Sequence, residues 1–227
     1  MASRSSSPSL ESFPRPAVAV DVALLTVTSP LADPSLRIFV RTSDGGNRLL
    51  PGRFIRERRT VAETLYEALK VKAGLVLPLG FSPRLLSVFD DPRRDDRTWA
   101  LSLAHSLSLP WELAAPATGA WEPPSSVGEL RFDHNAIVSA AVVDLQSRYE
   151  FRGRSYIEPD PDGFLGDSPF TLFQLRKVHE AVVGEPLHKD NFAKRMTPLL
   201  RPLLDADGEP VLAQNLRGRP AALYEKA

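Results

Sequence analysis

The sequence contains no cysteine, and only 4 histidines and 2 methionines are present among its 227 residues. Without cysteine the chain forms no disulfide and holds no metal through thiolates, which favours a reducing compartment. The histidines are scattered, so a histidine-rich metal site is not expected either. No apolar run approaches the roughly 20 residues that a membrane-spanning helix needs. These absences predict a protein without a membrane segment and without a bound metal.

A net charge is also missing, because 28 basic side chains balance 28 acidic ones. Any face that binds nucleic acid must therefore be a local patch of positive charge. The first sixteen residues are rich in serine and proline and lack the apolar run of a signal peptide. We expect residues 1–16 to form a disordered arm. The rest of the chain is long enough for one large domain or two modest ones.

Residues 17–150 predict a first domain that mixes strands and helices. The run AVAVDVALLTVT is apolar enough for a strand that is buried on both faces. Thr60 with Glu63 forms a capping box that predicts the start of a helix, and Asp133 is expected to cap another. The segment 110–128, rich in proline and alanine, is predicted to be a loop. Mixed strands with helices on their faces predict an α/β/α sandwich.

Residues 151–227 predict a second domain after a segment of prolines, glycines and acidic residues. Thr171 is expected to cap a helix, and a short second helix is predicted near residues 188–196. The tail at 210–224 has the pattern of a hairpin with an arginine-rich tip. Two helices joined by a short turn and followed by such a hairpin form a winged helix-turn-helix.

The basic second helix and the arginine-rich wing favour DNA as the partner. Asparagine matches adenine in the major groove, lysine or arginine matches guanine, and wing arginines suit phosphates. From Thr171 to Ala227 there are 9 basic and 7 acidic side chains, a net charge of 9 − 7 = +2, so the prediction depends on local clustering. The residues expected to contact DNA are Thr171, Lys189, Asn191, Lys194, Arg195, Arg217 and Arg219.

The stretch from Leu50 to Leu75 resembles a Nudix box that has lost its metal ligands. The family pattern is glycine, five residues, glutamate, seven residues, then Arg-Glu-apolar-x-Glu-Glu-x-Gly-apolar. With Gly74-Leu75 as the anchor, the glutamate positions hold Arg59, Ala68, Val71 and Lys72. These side chains lack the carboxylate oxygens that bind Mg²⁺ in working members. The box therefore predicts a Nudix scaffold with no catalytic residue and no metal site.

Both halves together resemble the Nudix-related transcriptional regulators of NAD metabolism, the NrtR family. The matching segments include Leu50-Pro51-Gly52-Arg53-Phe54, Phe89 to Asp95, Phe132-Asp133-His134, Val182 to Leu187 and Asn191-Phe192-Ala193-Lys194-Arg195. The resemblance implies a homodimer whose Nudix-like domains sense ADP-ribose or a related nucleotide, while the winged helices bind a palindromic operator. It further implies a cytoplasmic bacterial repressor, associated with the nucleoid when bound, that needs no cofactor.

The basic side chains left in the box are expected to hold the effector directly. Guanidinium groups bind phosphates through paired hydrogen bonds, so they can clamp a pyrophosphate without a metal. The resemblance places the loop from Asp95 to Arg97 beside the same ligand. The residues expected to contact the effector are Arg53, Arg56, Arg59, Lys72, Asp95 and Arg97.

Three alternatives remain open. A pyrophosphohydrolase with a rearranged site would use Glu57, Glu63 or Glu67 as metal ligands. A sugar-responsive regulator would keep the DNA-binding domain and sense a different effector. An interaction module would use its winged helix to bind a protein instead of DNA.

Several ring side chains have both a structural and a ligand-binding interpretation. The three tryptophans, Trp99, Trp111 and Trp121, could stack on an adenine, but isolated tryptophans more often belong to a core. We expect His134, at the start of a predicted helix, to be structural rather than a ligand contact.

Overall fold

A computed structural model describes residues 9, 12–28, 34–78, 80–150, 158–213 and 220–226. In the first half of the chain, seven strands form one mixed sheet: β1 (Ala17–Val27), β2 (Leu36–Thr42), β3 (Arg48–Leu49), β4 (Gly52–Phe54), β5 (Arg84–Phe89), β6 (Ala100–Leu109) and β7 (Ala120–Glu122). The order is β3-β2-β1-β6-β5, with β4 paired to β1 and β7 paired to β2. β1 and β6 run parallel, and the other neighbours run antiparallel.

Strand β1 supplies core residues to both faces of this sheet. Its even-numbered side chains, such as Val22 and Leu24, share a cluster with residues of α1 (Val61–Ala73). Its odd-numbered side chains, such as Leu25, share another cluster with α3 (His134–Tyr149). Successive side chains of a strand point to opposite faces, so an apolar run is needed where both faces are covered. The predicted α/β/α sandwich is confirmed.

Helix α1 has both of the predicted end signals. Glu63 N donates to Thr60 Oγ1 at 3.1 Å, and Thr60 N donates to Glu63 Oε2 at 2.9 Å. The helix ends at Gly74, whose φ of +68° lies in the left-handed region that glycine adopts without strain. Helix α3 begins directly after Asp133, which is its N-cap residue as predicted, but the Asp133 carboxylate makes no capping hydrogen bond and is bound by Arg94 instead.

The prediction of a loop over 110–128 is wrong for most of that segment. It contains α2 (Trp111–Ala114), strand β7 and a 3₁₀ turn at Pro124–Ser126. Strand β7 pairs Trp121 with Phe39 of β2, and their ring centroids lie 5.4 Å apart in an edge-on arrangement. Burying this aromatic pair outweighs the weak strand propensity of a segment rich in proline and alanine.

The second half consists of α4 (Leu172–Val183), α5 (Lys189–Met196) and a three-stranded sheet. The sheet is ordered β8-β10-β9, with β8 at Phe170–Thr171, β9 at Leu200–Pro202 and β10 at Leu223–Lys226. Leu212 pairs with Ala222 on the two sides of the predicted hairpin. The winged helix-turn-helix is confirmed. The hairpin tip, with Arg217 and Arg219, lies outside the described residues.

The two halves share one hydrophobic cluster. It runs from Ile137 and Leu145 of α3 to Val178 of α4 and to Phe192 and Met196 of α5. The predicted domain boundary after residue 150 adjoins residues 151–157, which are outside the described ranges, and it stays a prediction. Among the described helices, none is long and apolar enough to cross a membrane.

Candidate effector cavity and DNA-binding surface

A cavity of about 590 Å³ opens on the sheet between β4, α1 and the loop before β6. Five of the six residues predicted to contact the effector line it, namely Arg53, Arg56, Lys72, Asp95 and Arg97. The sixth, Arg59, does not line it. Its guanidinium lies 3.3 Å from the Glu63 carboxylate at the exposed start of α1. The sequence spacing placed Arg59 in the box but gave no sign that the side chain turns away.

The cavity floor is a buried network of charged and polar groups around Asp21. Ser102 Oγ donates to Asp21 Oδ2 at 2.6 Å, and Arg94 Nη2 donates to the same oxygen at 3.3 Å. Arg94 also donates to both carboxylate oxygens of Asp133, at 2.7 and 2.8 Å. Burial alone would raise the pKa of Asp21, but hydrogen bonds with His134 and Ser102 and the charge of Arg94 keep that pKa below its ordinary value. The network therefore keeps the Asp21 carboxylate ionised at neutral pH.

His134 forms part of the cavity wall. The backbone N–H of Leu50 donates to its Nδ1 at 3.0 Å, so this nitrogen carries no proton. The N–H of the ring is therefore on Nε2, which lies 3.5 Å from Asp21 Oδ1. The side chain is buried and ties β1 to the turn before β4. This contact agrees with the structural role expected for His134.

Two of the cavity's charged groups already neutralise each other. Arg97 donates to both oxygens of Asp95, at 2.8 and 2.7 Å. These hydrogen bonds lower the pKa of Asp95 below its ordinary value. Since Asp21 is bound by Arg94, neither carboxylate among the lining residues is left without a cationic partner.

Three cations of the cavity have no such partner. Arg41, Arg56 and Lys72 form no ion pair with any described residue, whereas Arg53 lies 3.1 Å from the Glu67 carboxylate. Unpaired cations on a concave surface attract anions, and guanidinium groups bind phosphate oxygens in pairs. The excess charge of the cavity is therefore positive. Sequence reasoning missed Arg41, which comes from strand β2 and not from the box.

A second cavity of about 440 Å³ adjoins the first. Both are lined by Arg41, Val71 and Lys72, so the two cavities are adjacent, and we call them the two lobes of one groove. The second lobe also contains Arg48, which is bound to Glu122 at 2.6 Å. The unpaired cations Arg41 and Lys72 thus lie where the two lobes meet.

The aromatic residues of the first cavity are Phe54 and Phe132, and none of the three tryptophans is among its lining residues. Phe132 has a φ of +61°, which is uncommon for a residue with a side chain and is often found at functional sites. The Arg97 guanidinium lies 5.0 Å from the centroid of its ring. Trp111 and Trp121 instead pack edge-on against each other. Both phenylalanines belong to segments that resemble the family, but nothing in the sequence gave their rings a role.

Helix α5 presents one apolar and one polar face. Phe192 and Met196 are buried, as predicted from their spacing of four. Lys189, Asn191, Lys194 and Arg195 of the same helix are exposed to solvent. These are the residue types that bind phosphates and the edges of bases.

The family described as the NrtR DNA-binding winged helix domain matches residues 164–225. The C-terminal domain is thus similar to the NrtR winged helix domain over these residues. Shewanella oneidensis NrtR complexed with a 27mer DNA is 26% identical to this chain, covering 92% of it and 93% of that chain, with a TM-score of 0.69. A further structure of Shewanella oneidensis NrtR is 25% identical over 93% and 94% of the two chains, also with a TM-score of 0.69.

The resemblance to NrtR drawn from the sequence is thus confirmed. The chain has the architecture of an NrtR-like regulator, a Nudix-like domain followed by the winged helix. A MutT/nudix family protein from Enterococcus faecalis shares the fold at 20% identity, with coverage of 97% and 90% and a TM-score of 0.71. Among curated proteins, no sequence match to this chain was found.

One of the predicted DNA contacts in the NrtR domain needs correction. Thr171 is 1% exposed, and its Oγ1 accepts a hydrogen bond from Gln174 N at 3.2 Å. Gln174 Oε1 accepts in return from Thr171 N at 2.8 Å, which completes a capping box at the start of α4. A buried hydroxyl that caps a helix is not available to DNA. We therefore omit Thr171 from the proposed DNA surface.

Proposed function

We propose that this protein is a repressor of NAD metabolism genes that binds ADP-ribose or a related nucleotide in its Nudix-like domain. The observation on which the proposal depends is a groove with unpaired cations in the same chain as an NrtR winged helix domain. The protein acts in the bacterial cytoplasm as a homodimer on palindromic DNA. Its Nudix-like domain comprises residues 17–150 and its DNA-binding domain residues 151–227.

The shape and charge of the groove favour a ligand with two bulky ends and an anionic centre. Arg41 and Lys72 lie at the junction of the two lobes, where they match a diphosphate. The rings of Phe54 and Phe132 offer apolar surfaces to a base or a ribose. ADP-ribose has this construction, because a diphosphate joins its adenosine and its second ribose.

The same residues argue against hydrolysis by the usual Nudix route. Val71 and Lys72 occupy positions where the family pattern has paired glutamates, and both line the cavity. The Lys72 ammonium brings a positive charge to a site where a working member would place a metal held by carboxylates. We infer that the domain binds its ligand without a metal and leaves it intact.

The rival pyrophosphohydrolase would need glutamates that the structure uses elsewhere. Glu63 closes the capping box of α1, and hydrogen bonds from Thr60 lower its pKa. Glu57 is exposed and lies 3.7 Å from Arg58, and Glu67 is paired with Arg53. None of the three is among the residues that line the cavity.

Calorimetric titration with ADP-ribose in the presence of EDTA tests the ligand site. We expect Arg56→Ala to weaken binding about tenfold or more, because a charge-assisted hydrogen bond contributes about 1.5–3 kcal/mol. Arg59→Ala is the matched control, since this arginine belongs to the same segment but does not line the cavity. Equal effects of the two substitutions, or binding that requires Mg²⁺, would contradict the proposed site.

Measuring DNA affinity against salt concentration tests the second domain. The duplex is a palindrome selected by the protein from random sequences. We expect Lys194→Ala to weaken binding and to reduce the salt slope by about 1, as the loss of one phosphate contact does. Lys70→Ala, an exposed lysine on α1, should change neither quantity. A winged helix that binds a protein partner instead would show no salt-dependent DNA binding.

A further inference from the structure

Helix α3 extends from the floor of the effector cavity to the core of the winged helix. Its first residue, His134, lines the cavity, and its last residue, Tyr149, is fully buried beside the second domain. The helix is 16 residues long, so it spans about 24 Å at a rise of about 1.5 Å per residue. It is therefore a rigid element with one end in each functional region.

The start of α3 depends on which group binds the Asp133 carboxylate. Arg94 occupies both of its oxygens, and no capping hydrogen bond to the first turn is left. The backbone of Asp133 has φ −92° and ψ 20°, whereas a capping residue normally has an extended backbone. The preceding residue, Phe132, has a positive φ. The ion pair with Arg94 thus holds the helix start in an uncapped conformation.

An anion in the cavity competes for the same arginine. Arg94 lines both the effector cavity and a neighbouring polar depression that contains Asp133. A phosphate bound by Arg94 would release the Asp133 carboxylate, which could then accept a hydrogen bond from the first turn of α3. Capping by aspartate stabilises a helix by about 1 kcal/mol. Ligand binding therefore favours a different conformation of the helix start.

The far end of α3 is attached to the DNA-binding domain at two places. Gln146 Nε2 donates to the carbonyl oxygen of Val182 on α4 at 3.1 Å. The Tyr149 ring packs edge-on against His179 of α4, with centroids 4.8 Å apart. His179 in turn packs edge-on against Phe192 of α5, with centroids 5.0 Å apart. Because such interiors are close-packed, a shift of Tyr149 must be accommodated by His179 and Phe192.

We propose that α3 transmits the state of the effector cavity to the DNA-binding helix. Anion binding at Arg94 frees Asp133 to cap α3, and the resulting shift passes through Tyr149 and His179 to Phe192. Helix α5 moves with Phe192, and the two recognition helices of the dimer no longer match their half-sites. The inference rests on the proposed function, because it explains how that cavity regulates DNA binding. Tyr149 and His179 are positioning residues and touch neither ligand.

The coupling factor measures this transmission. It is the ratio of the dissociation constants for the selected palindrome with and without saturating ADP-ribose, and allosteric factors are typically about 5–150. We expect the coupling factor of the variants Gln146→Ala and Tyr149→Leu to be about 3 or less, which is below the typical allosteric range. Tyr149→Phe, which keeps the ring, and Val143→Ala, at a solvent-exposed position of the same helix, should keep the wild-type factor.

Two further results separate the possible outcomes. Asp133→Asn can cap α3 but cannot form the ion pair, so it should bind DNA weakly even without ADP-ribose. Circular dichroism checks that Tyr149→Leu is folded. If Tyr149→Leu is unfolded, the coupling factor of Gln146→Ala still tests the role of α3. Full coupling in folded Gln146→Ala together with tight DNA binding by Asp133→Asn would overturn the role of α3 and leave the regulator intact. A wild-type factor of about 1 would overturn the proposed function as well.

Discussion

At the scale of single residues, the cavity floor depends on a position with no room for a side chain. A Cβ on Gly52 would lie 1.9 Å from Asp21 Oδ1 and 3.2 Å from the carbonyl oxygen of Val20. We expect Gly52→Ala to reduce the free energy of unfolding by at least about 2 kcal/mol, because overpacking would also displace a buried charge. Chemical denaturation measures the loss. Gly45→Ala, where the nearest atom is 3.6 Å away, is the control and should be nearly neutral.

His179 makes the stability of the winged helix sensitive to mild acid. Burial lowers the pKa of its imidazole to about 4, although a hydrogen bond to the carbonyl oxygen of Pro159 and the charge of Asp160 oppose the shift. The unfolded chain binds this proton below pH of about 6.5, whereas the folded chain binds it only near pH 4. The free energy of unfolding should therefore fall by up to about 3 kcal/mol as the pH drops through this interval.

Denaturant unfolding at several pH values between 7 and 4 tests this expectation. His179→Phe keeps a ring between Tyr149 and Phe192 and should remove the decrease between pH 6.5 and 4, even if it lowers stability at pH 7. His188→Gln, at an exposed position, should retain it. A His179→Phe variant with the wild-type slope would show that another group binds the proton.

The sequence predicts local contacts of single residues well and distant ones poorly. Thr60 and Glu63 are three residues apart, so their capping box could be recognised from spacing alone. Arg94 binds Asp21 and Asp133, which are 73 and 39 residues away in the chain. Contacts between residues so far apart in the chain leave no periodic pattern in the sequence. A ligand site at the cation-rich box could therefore be proposed from the sequence, whereas the buried network beside it could not.

At the scale of elements, substitutions of Thr171 test whether this residue stabilises helix α4 or contacts DNA. Its capping box with Gln174 predicts that Thr171→Ala reduces the free energy of unfolding by about 1 kcal/mol. Thr171→Ser keeps the hydroxyl and should lose much less. Neither substitution should change DNA affinity at a temperature where the protein is folded. A loss of affinity in Thr171→Ala without a loss of stability would restore its DNA-contact role.

Helices with clear periodicity were predictable, and short elements fixed by tertiary contacts were not. The stripe of Phe192 and Met196 on α5 follows from a spacing of four. Strand β7 has only three residues, and it exists because Trp121 pairs with Phe39 and because Gly119 lets the chain approach. A Cβ on Gly119 would lie 2.4 Å from the Phe39 ring. Such a strand has no signal of its own in the sequence.

At the scale of the whole molecule, the shared core predicts a single unfolding transition. The first half has a separate cluster around α1, but the cluster that joins α3 to α4 and α5 contains residues of both halves, so the unfolding of one half exposes apolar surface of the other. All three tryptophans belong to the first half, so their fluorescence reports that half alone. We expect its midpoint in urea to coincide with the midpoint of helical circular dichroism, which reports both halves. Two separated midpoints would show that the halves unfold independently.

The overall architecture could be predicted from patterns of strands and helices, together with resemblance to a known family. The shared core could not, because a strong domain-boundary signal between the halves hides how α3 packs on α4. In our proposal, that contact lets the effector cavity and the DNA-binding helix influence each other.

The most direct test starts from the complex of the protein and its selected palindrome. ADP-ribose is added in the presence of EDTA, and DNA release is followed by fluorescence anisotropy. We expect DNA affinity to fall about tenfold, within the range of typical allosteric coupling, and chromatography to recover the ADP-ribose intact. An unchanged affinity at saturating ADP-ribose would contradict it.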